Sequence, residues 1–390
     1  MVHGNYCGLA TEDYRLSTGH MKLQNTMNYI PRTIYIDEHA KKYPLTKKIL
    51  TTYKHVPQVI ITDPKTLIKE YNRKENAISL GKKSLFLTVN KGKFLKKCPG
   101  TKYYICCGYQ ILHQVAGCSL DCSYCILQSY FNNPLITFFT NLDDMLNELN
   151  VKLDSNKNRY WRIGTGEFTD SLAFDYVTSL STKLIPYFMK KKNAILELKT
   201  KTTHVDNLLH FRPKGKIVVS WSLNAQPVVH QEEQDAAPLK ARIEAARQCQ
   251  ERGYKIGFHF DPIFHYPGWE HDYKKTIDLI FKTIDPAAIA WISLGCFRFI
   301  PSLKSIIEKR FPHAPFIYHE FIKGFDGKMR YIKPLRIHMY TKMVQWIRNH
   351  NSNVFIYLCM ESNEVWKCSF GYSPRDFGSL ARGLDGQVFD

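Results

Sequence analysis

The stretch Ala116-Gly117-Cys118-Ser119-Leu120-Asp121-Cys122-Ser123-Tyr124-Cys125 decides how the rest of this chain is read. A C-x3-C-x2-C run brings three thiolates to one point and leaves a fourth coordination position open. Soft sulfur ligands of this kind select iron–sulfur clusters, zinc or copper(I). Structural zinc sites usually close their shell with four ligands in two short pairs. No second pair of that kind follows here, and the neighbouring Cys106 and Cys107 are poorly placed to ligate one metal together. A zinc knuckle or a set of buried free thiols is the plainer alternative. The open position is where chemistry can happen.

Outward from this loop the chain alternates strand-like and helix-like stretches. Leu142, Met145, Leu146 and Leu149 fall at helical spacing, Tyr160–Gly164 reads as a strand, and a helix runs through roughly 171–191. Ala194–Thr200 and Lys216–Leu223 are strands, with a short helix near Val205–Leu209 between them. A helix runs from Pro238 to a stop at Gly253, and Tyr254–Asp261 and Ala288–Leu294 are strands around a helix near 270–284. Leu335–Asn349 is a helix and Val354–Met360 the last strand. Regular βα alternation implies parallel strands with right-handed crossovers, so the fold class is α/β, an open or partial (β/α) barrel. Gly164–Glu167, Asp170, Lys199, Lys201, Ser222, Asn224, His259, Asp261, Cys296, Arg298, Cys359 and Glu361 all fall at expected C-terminal strand ends, the rim on which barrel active sites are built.

The first hundred residues differ. A start rich in tyrosine and lysine leads to Thr33–Ile36, a helix-like 38–52, Gln58–Thr62 and a helix-like 63–72, read as a small α/β layer over 1–100 packed on a barrel over 101–390. At 390 residues, 44% hydrophobic and 13% aromatic, the chain is not disordered. Eleven scattered cysteines suit reduced thiols and metal ligation better than a disulfide framework. With neither a membrane span nor a secretory signal in view, a soluble cytoplasmic protein without a membrane partner is expected. A net charge of +19 gives a field that attracts polyanions, which makes nucleic acid a leading partner.

The cysteine loop, with an aromatic residue just before its last cysteine, resembles that of radical S-adenosylmethionine enzymes. Further segments follow in order: Tyr35-Ile-Asp-Glu, Tyr43-Pro-Leu, Cys125-Ile-Leu-Gln128, Thr200-Lys-Thr-Thr-His-Val-Asp-Asn-Leu-Leu209, Ser220-Trp-Ser-Leu-Asn224, Pro238-Leu-Lys-Ala-Arg-Ile-Glu-Ala-Ala246, Gly268-Trp269, Gly324-Phe-Asp-Gly-Lys-Met-Arg-Tyr331 and Tyr357-Leu-Cys-Met-Glu-Ser362. By their order the chain resembles the spore photoproduct lyase family of radical S-adenosylmethionine proteins over nearly its full length. The resemblance implies a partial barrel of the radical S-adenosylmethionine type and a [4Fe–4S] cluster on Cys118, Cys122 and Cys125. It also implies S-adenosylmethionine, an electron donor such as a flavodoxin or ferredoxin, and repair of the ultraviolet-induced thymine dimer called spore photoproduct. It places Tyr124, Lys201 and Ser222 near the cofactor. Given that cofactor, Gly164-Thr-Gly-Glu167 suits its aminoacyl end: the glycines allow close approach, Glu167 can pair with the ammonium and Lys201 with the carboxylate, and Ser222 and Asn224 offer neutral hydrogen bonds. A helix-capping role for Glu167 is the alternative.

One departure stands out. Where the resemblance expects a cysteine that returns a hydrogen atom to the substrate radical, this chain reads Gly166-Glu-Phe168-Thr-Asp170. Tyr124, Cys296 and Cys359 are the candidates to replace it. In the segment 321–334, Asp326-Gly327 is a type I′ turn signal, so its flanks should pair as a basic β-hairpin. Lys323, Lys328, Arg330 and Lys333 would then meet phosphates while Phe325 or Tyr331 wedges into a base stack. The resemblance puts Arg330 and Tyr331 at its working positions; a solvated hairpin with Tyr331 packed on its own sheet is the alternative. Two other functions stay open: radical chemistry on RNA or a nucleotide-like molecule, and a non-catalytic, zinc-containing nucleic-acid-binding protein.

Overall fold

A computed structural model describes residues 28–389, so the first 27 residues of the expected N-terminal layer lie outside the described residues. Eight strands form a curled sheet in strictly sequential order: β1 (Leu95–Lys97), β2 (Gln110–Leu112), β3 (Trp161–Gly164), β4 (Ala194–Thr200), β5 (Ile217–Ser222), β6 (Lys255–Ile263), β7 (Ile289–Cys296) and β8 (Ile356–Leu358). From β2 to β8 all pairings are parallel, and only β1 runs antiparallel to its neighbour. This is the expected partial barrel. Its central strands are buried on both faces, as strands covered by helices must be: every residue of β5 and of β7 is buried.

The helices 239–251, 269–283 and 333–350 lie within two residues of where periodicity puts them. Gly253, at φ +85°, ends the first of these as expected, since a left-handed stop needs no Cβ. The expected helix 171–191 is instead two pieces, Asp175–Thr178 and Leu180–Met189, hinged at a left-handed Ser179. Asp175 explains the break: its carboxylate accepts from the Ser181 amide at 2.9 Å and from the Ser181 hydroxyl, and so caps the second piece.

A second sheet of five strands packs beside the barrel, in the order 58–61, 33–37, 84–88, 136–139, 115–116. The two sheets exchange strands across residue 100. Leu95–Lys97 is an edge of the barrel, whereas Ile136–Phe139 leaves the barrel stretch to pair in parallel with Ser84–Thr88. This exchange clamps the cysteine loop between both sheets. At the far side the two barrel edges meet: the Ile105 amide donates to the Glu361 carbonyl at 2.9 Å, joining the loop after β1 to the residues after β8. We call this contact the seam. Among the described residues no helix is long and apolar enough to cross a membrane.

Candidate active site

The C-terminal ends of the barrel strands enclose a cavity of about 300 Å³. Its near wall is the cysteine loop. Gly117, at φ +91°, turns the chain into the loop with its α-carbon face against Ile136, where a Cβ would come within 3.3 Å of backbone. The loop is then pinned from outside. Lys82 Nζ donates to the carbonyls of Cys118 (2.9 Å) and Leu120 (2.6 Å), Arg310 pairs with Asp121 at 2.8 Å, and Cys122 pairs with Glu233 in a two-residue antiparallel ladder. Cys118, Cys122 and Cys125 all line the cavity.

Burial pushes the Cys118 thiol up to about 12 and raises Cys122 as well, so ligand thiolates here require the charge of bound iron. Three soft sulfurs on one cavity wall, with no fourth from the loop, fit a [4Fe–4S] cluster that keeps one iron open. Among the described residues no three Cys, His, Asp or Glu side chains are gathered to close on a single ion. A cubane cluster, which takes one thiolate on each of three irons, does not require that.

Tyr124 lines the cavity from the loop itself, and Glu167, Lys201 and Ser222 line it from the other walls. Lys201 Nζ lies 5.8 Å over the Tyr124 ring. Glu167 is ion-paired with Lys199, and that charge outweighs burial in holding the Lys199 ammonium above its ordinary range. The two glycines before Glu167 answer to packing: a Cβ on Gly164 would collide with the Tyr109 hydroxyl, and one on Gly166 would come within 2.7 Å of the Lys199 Cβ. Asp170 is a structural tie, accepting from the amides of Leu172, Ala173 and Lys201 and from the Thr200 hydroxyl.

Asn224 stands behind the wall. Its amide donates to Glu233 at 3.0 Å and its oxygen accepts from Tyr273 at 2.7 Å. Tyr124 donates to the same Glu233, whose other oxygen pairs with buried Arg242 at 2.6 Å. Asn224 therefore positions Tyr124, and its hydrogen-bonding capacity is already used. Deeper in the barrel, Glu197 accepts from His259 (2.8 Å) and the Ser220 hydroxyl (2.5 Å). Burial alone would raise this carboxyl; the His259 bond and charge, with Lys199 and Ser220, bring it down to about 2.

Of the expected hydrogen donors, Tyr124 and Cys359 line the cavity and Cys296 does not. Cys296 is turned into the core, its sulfur 3.8 Å from that of Met339 and its amide held by Tyr340. Residue 296 ends its strand facing outward from the barrel axis, so a place on the rim was not enough to put its thiol on the cavity. Cys359 lies at the seam, its sulfur 3.6 Å from Arg298 Nη2, and Arg298 is locked onto Asp261 by two bonds of 2.9 and 3.0 Å. Cys98 and Cys107, which the sequence did not single out as cavity residues, line the same wall, and both pack on the cluster of side chains that contains Phe168. Tyr109 is the other residue missed: its hydroxyl is buried without a hydrogen-bond partner beside the cavity.

The hairpin forms, with a different turn. Ile322–Lys323 pairs with Met329–Arg330, the Gly327 amide bonds the Gly324 carbonyl at 2.9 Å, and Gly327 has φ +80° with no positive φ at Asp326. That is a turn centred on Phe325–Asp326 closed by a left-handed glycine bulge, rather than type I′. The turn decides which side chains are exposed. Asp326 points inward to Thr101 and Arg330, and Arg330 is 1% exposed, 4.2 Å from the Tyr104 ring. Tyr331 is also 1% exposed, stacked on Phe321. Phe325 at the tip is 87% exposed, and Lys328 reaches the cavity mouth.

The sequence model of the family described as spore photoproduct lyase matches residues 29–336. The chain belongs to the spore photoproduct lyase family. It is 26% identical over 301 residues to the spore photoproduct lyase of Bacillus subtilis (strain 168), covering 73% of this chain and 83% of that one. It is 25% identical over 297 residues, with the same coverage, to that of Geobacillus sp. (strain Y412MC61). Among solved structures, a spore photoproduct lyase double mutant with bound AdoMet and dinucleoside spore photoproduct superposes with a TM-score of 0.73 at 22% identity, over 85% of this chain and 99% of that one. A spore photoproduct lyase complexed with dinucleoside spore photoproduct gives the same TM-score and coverage. The spore photoproduct lyase fold is thus shared along nearly the whole of those chains, and the family's cofactors, a [4Fe–4S] cluster and S-adenosylmethionine, meet a donor set suited to them here.

Proposed function

We propose that this chain is a radical S-adenosylmethionine carbon–carbon lyase that restores two thymines from spore photoproduct in DNA. The observation that carries this reading is one cavity lined at once by Cys118, Cys122 and Cys125, by Lys201 and Ser222, and by the thiols of Cys98, Cys107 and Cys359. When bound, the cluster and S-adenosylmethionine supply a 5′-deoxyadenosyl radical able to take hydrogen from unactivated carbon. The chain's own residues do the rest. Cys118, Cys122 and Cys125 hold the cluster. Lys201 meets the cofactor carboxylate and Ser222 offers a neutral hydrogen bond. Glu167 meets the cofactor ammonium when it exchanges its Lys199 partner for that of the ligand. The Glu197–His259 and Asp261–Arg298 pairs fix the cavity floor.

Cleavage leaves a carbon radical that must regain hydrogen. Cys359 serves as donor: its S–H bond breaks as the C–H bond forms, and the sulfur radical left behind returns to a thiol by taking one electron from the low-potential carrier protein and a proton from water. Burial, then the charge of Asp261, keeps Cys359 protonated, so the hydrogen is present to give. Phe168 fills the expected donor position, and Cys98 and Cys107 packed near it keep thiols in that neighbourhood. DNA is the partner, drawn by the basic surface, with Lys328 at the cavity mouth. A low-potential flavodoxin or ferredoxin is the electron donor, and the cytoplasm is the compartment.

The test is anaerobic reconstitution with iron and sulfide, reduction, and incubation with S-adenosylmethionine and dinucleoside spore photoproduct. Restored thymine together with 5′-deoxyadenosine, both lost in Cys122→Ala, is the expected result. Deoxyadenosine without thymine would move the substrate to another nucleic acid or nucleotide, and a colourless zinc protein would remove the reading.

A further inference from the structure

The cysteine loop has a second face. Behind it, between the loop and the N-terminal layer, lies a separate cavity of about 500 Å³. Cys118 and Cys125 line it as well as the active-site cavity, so the cysteine loop stands between the two. Apart from these two cysteines, none of the residues assigned to cofactor or substrate lines this back cavity. Its mouth lies at exposed Asn72 and Asn132, whose side chain and carbonyl are bonded at 2.8 Å.

The exposed chain next to Asn72 is basic. Arg73 and Lys74 follow Asn72 directly, Lys69 lies one turn before it, and Lys309 reaches across to Glu75 at 3.5 Å. These cations outnumber the neighbouring Glu70 and Glu75. Inside, Lys82 Nζ contacts the carbonyl of the ligand Cys118 and stands 3.4 Å from Asp121, which Arg310 also holds. Behind the loop Lys82 and Arg310 face Asp121, with Asp235 also within electrostatic reach of Lys82 and Asp121, and Lys82 is the cation bonded to the carbonyl of a ligand cysteine. Local charge and hydrogen bonding are what tune the potential of an iron–sulfur cluster, and net positive charge favours the reduced, more negative state.

We propose that the back cavity is the port through which the cluster is reduced: a small acidic one-electron carrier protein seats on the Asn72–Asn132 mouth, and Lys82 raises the cluster potential so that the transfer proceeds. This rests on the cluster assigned under the proposed function. The carrier loses one electron, the cluster gains it, and no proton need move. A carrier seated behind the loop leaves the front cavity to S-adenosylmethionine and substrate while the cluster is recharged.

The experiment uses the reconstituted full chain and two readouts. In a redox titration followed by electron paramagnetic resonance, Lys82→Met is expected to make reduction at least tenfold less favourable, a potential lower by about 59 mV for one electron. Lys82→Arg should restore it, and an unchanged potential in Lys82→Met overturns that part. In stopped flow with reduced flavodoxin as the probe, the Arg73→Glu, Lys74→Glu double variant should be reduced at least tenfold more slowly, with a flattened salt dependence, while dithionite reduces it at the native rate. Equal rates with flavodoxin overturn the port, as does an equal slowing from charge reversal at Lys323 on the hairpin side. A native chain that forms no reducible cluster brings down the lyase reading and the port together. One that restores thymine with dithionite yet shows no charge effect brings down the port alone.

Discussion

Glu197 shows what a single buried carboxylate does in this cavity floor. Its carboxyl is lowered from 4.5 to about 2, so its ionised form contributes stability that is fully present above pH 4.5 and is lost as pH falls through about 2. The contribution is on the order of 3 kcal/mol. Glu197→Gln should therefore unfold at a lower denaturant concentration than the native chain at pH 7, and the gap should narrow as pH drops from 4.5 toward 2. Urea titrations at four pH values read this directly, and a gap independent of pH would contradict it. Cys359 carries the second prediction. In deuterated water the exchangeable thiol should deliver deuterium to the restored thymine, and Cys359→Ala should cut thymine yield more than tenfold while 5′-deoxyadenosine still forms. Retained yield in that variant, with loss in Cys107→Ala or Cys98→Ala instead, would move the donor along the same wall. The cluster cysteines were legible because spacing alone restricts their chemistry. Cys296 and Cys359 were not distinguishable, since both end a strand and only the packing of Met339 and Tyr340 decides which thiol turns inward.

At the scale of elements, the parallel strands were legible because burial on both faces leaves long apolar runs, and their order followed from short crossovers. The three-residue strands β1 and β2 carry too little pattern to recognise, and the two sheets' exchange of strands depends on contacts distant in sequence. The hairpin was found, but the turn type was not. An Asp-Gly pair admits a bulged turn as readily as type I′, and the Asp326 bonds to Thr101 and Arg330 select the former. Of the two rings the sequence offered as a wedge, that choice buries Tyr331 and exposes Phe325, which stands 6.4 Å from the ring of exposed Tyr103. Phe325→Ala should weaken binding to lesion-bearing duplex DNA about tenfold and leave turnover of the dinucleoside within twofold, measured by fluorescence anisotropy and product analysis. Base–aromatic stacking of about 1–3 kcal/mol sets that scale. Asp326→Asn should loosen the hairpin, which hydrogen exchange at Lys328 would report.

For the whole molecule, the excess of 54 basic over 35 acidic residues predicts DNA affinity that falls steeply with salt. A chain making six phosphate contacts should show a log–log slope of about −5, and a flat response would mean that charge does not drive binding. Function was legible at this scale only through the order of the family segments; the charge excess alone admits any polyanion. The seam has a consequence in time as well as in space. The ribosome completes the cysteine loop more than two hundred residues before it makes Glu361, so the seam cannot close until Glu361 has emerged. Until then the loop stays open to whatever delivers iron and sulfide, and closure afterwards shuts the finished cluster away from oxygen. A chain stopped after His350 should accordingly still acquire colour on reconstitution, yet bleach in air many times faster than the full-length protein.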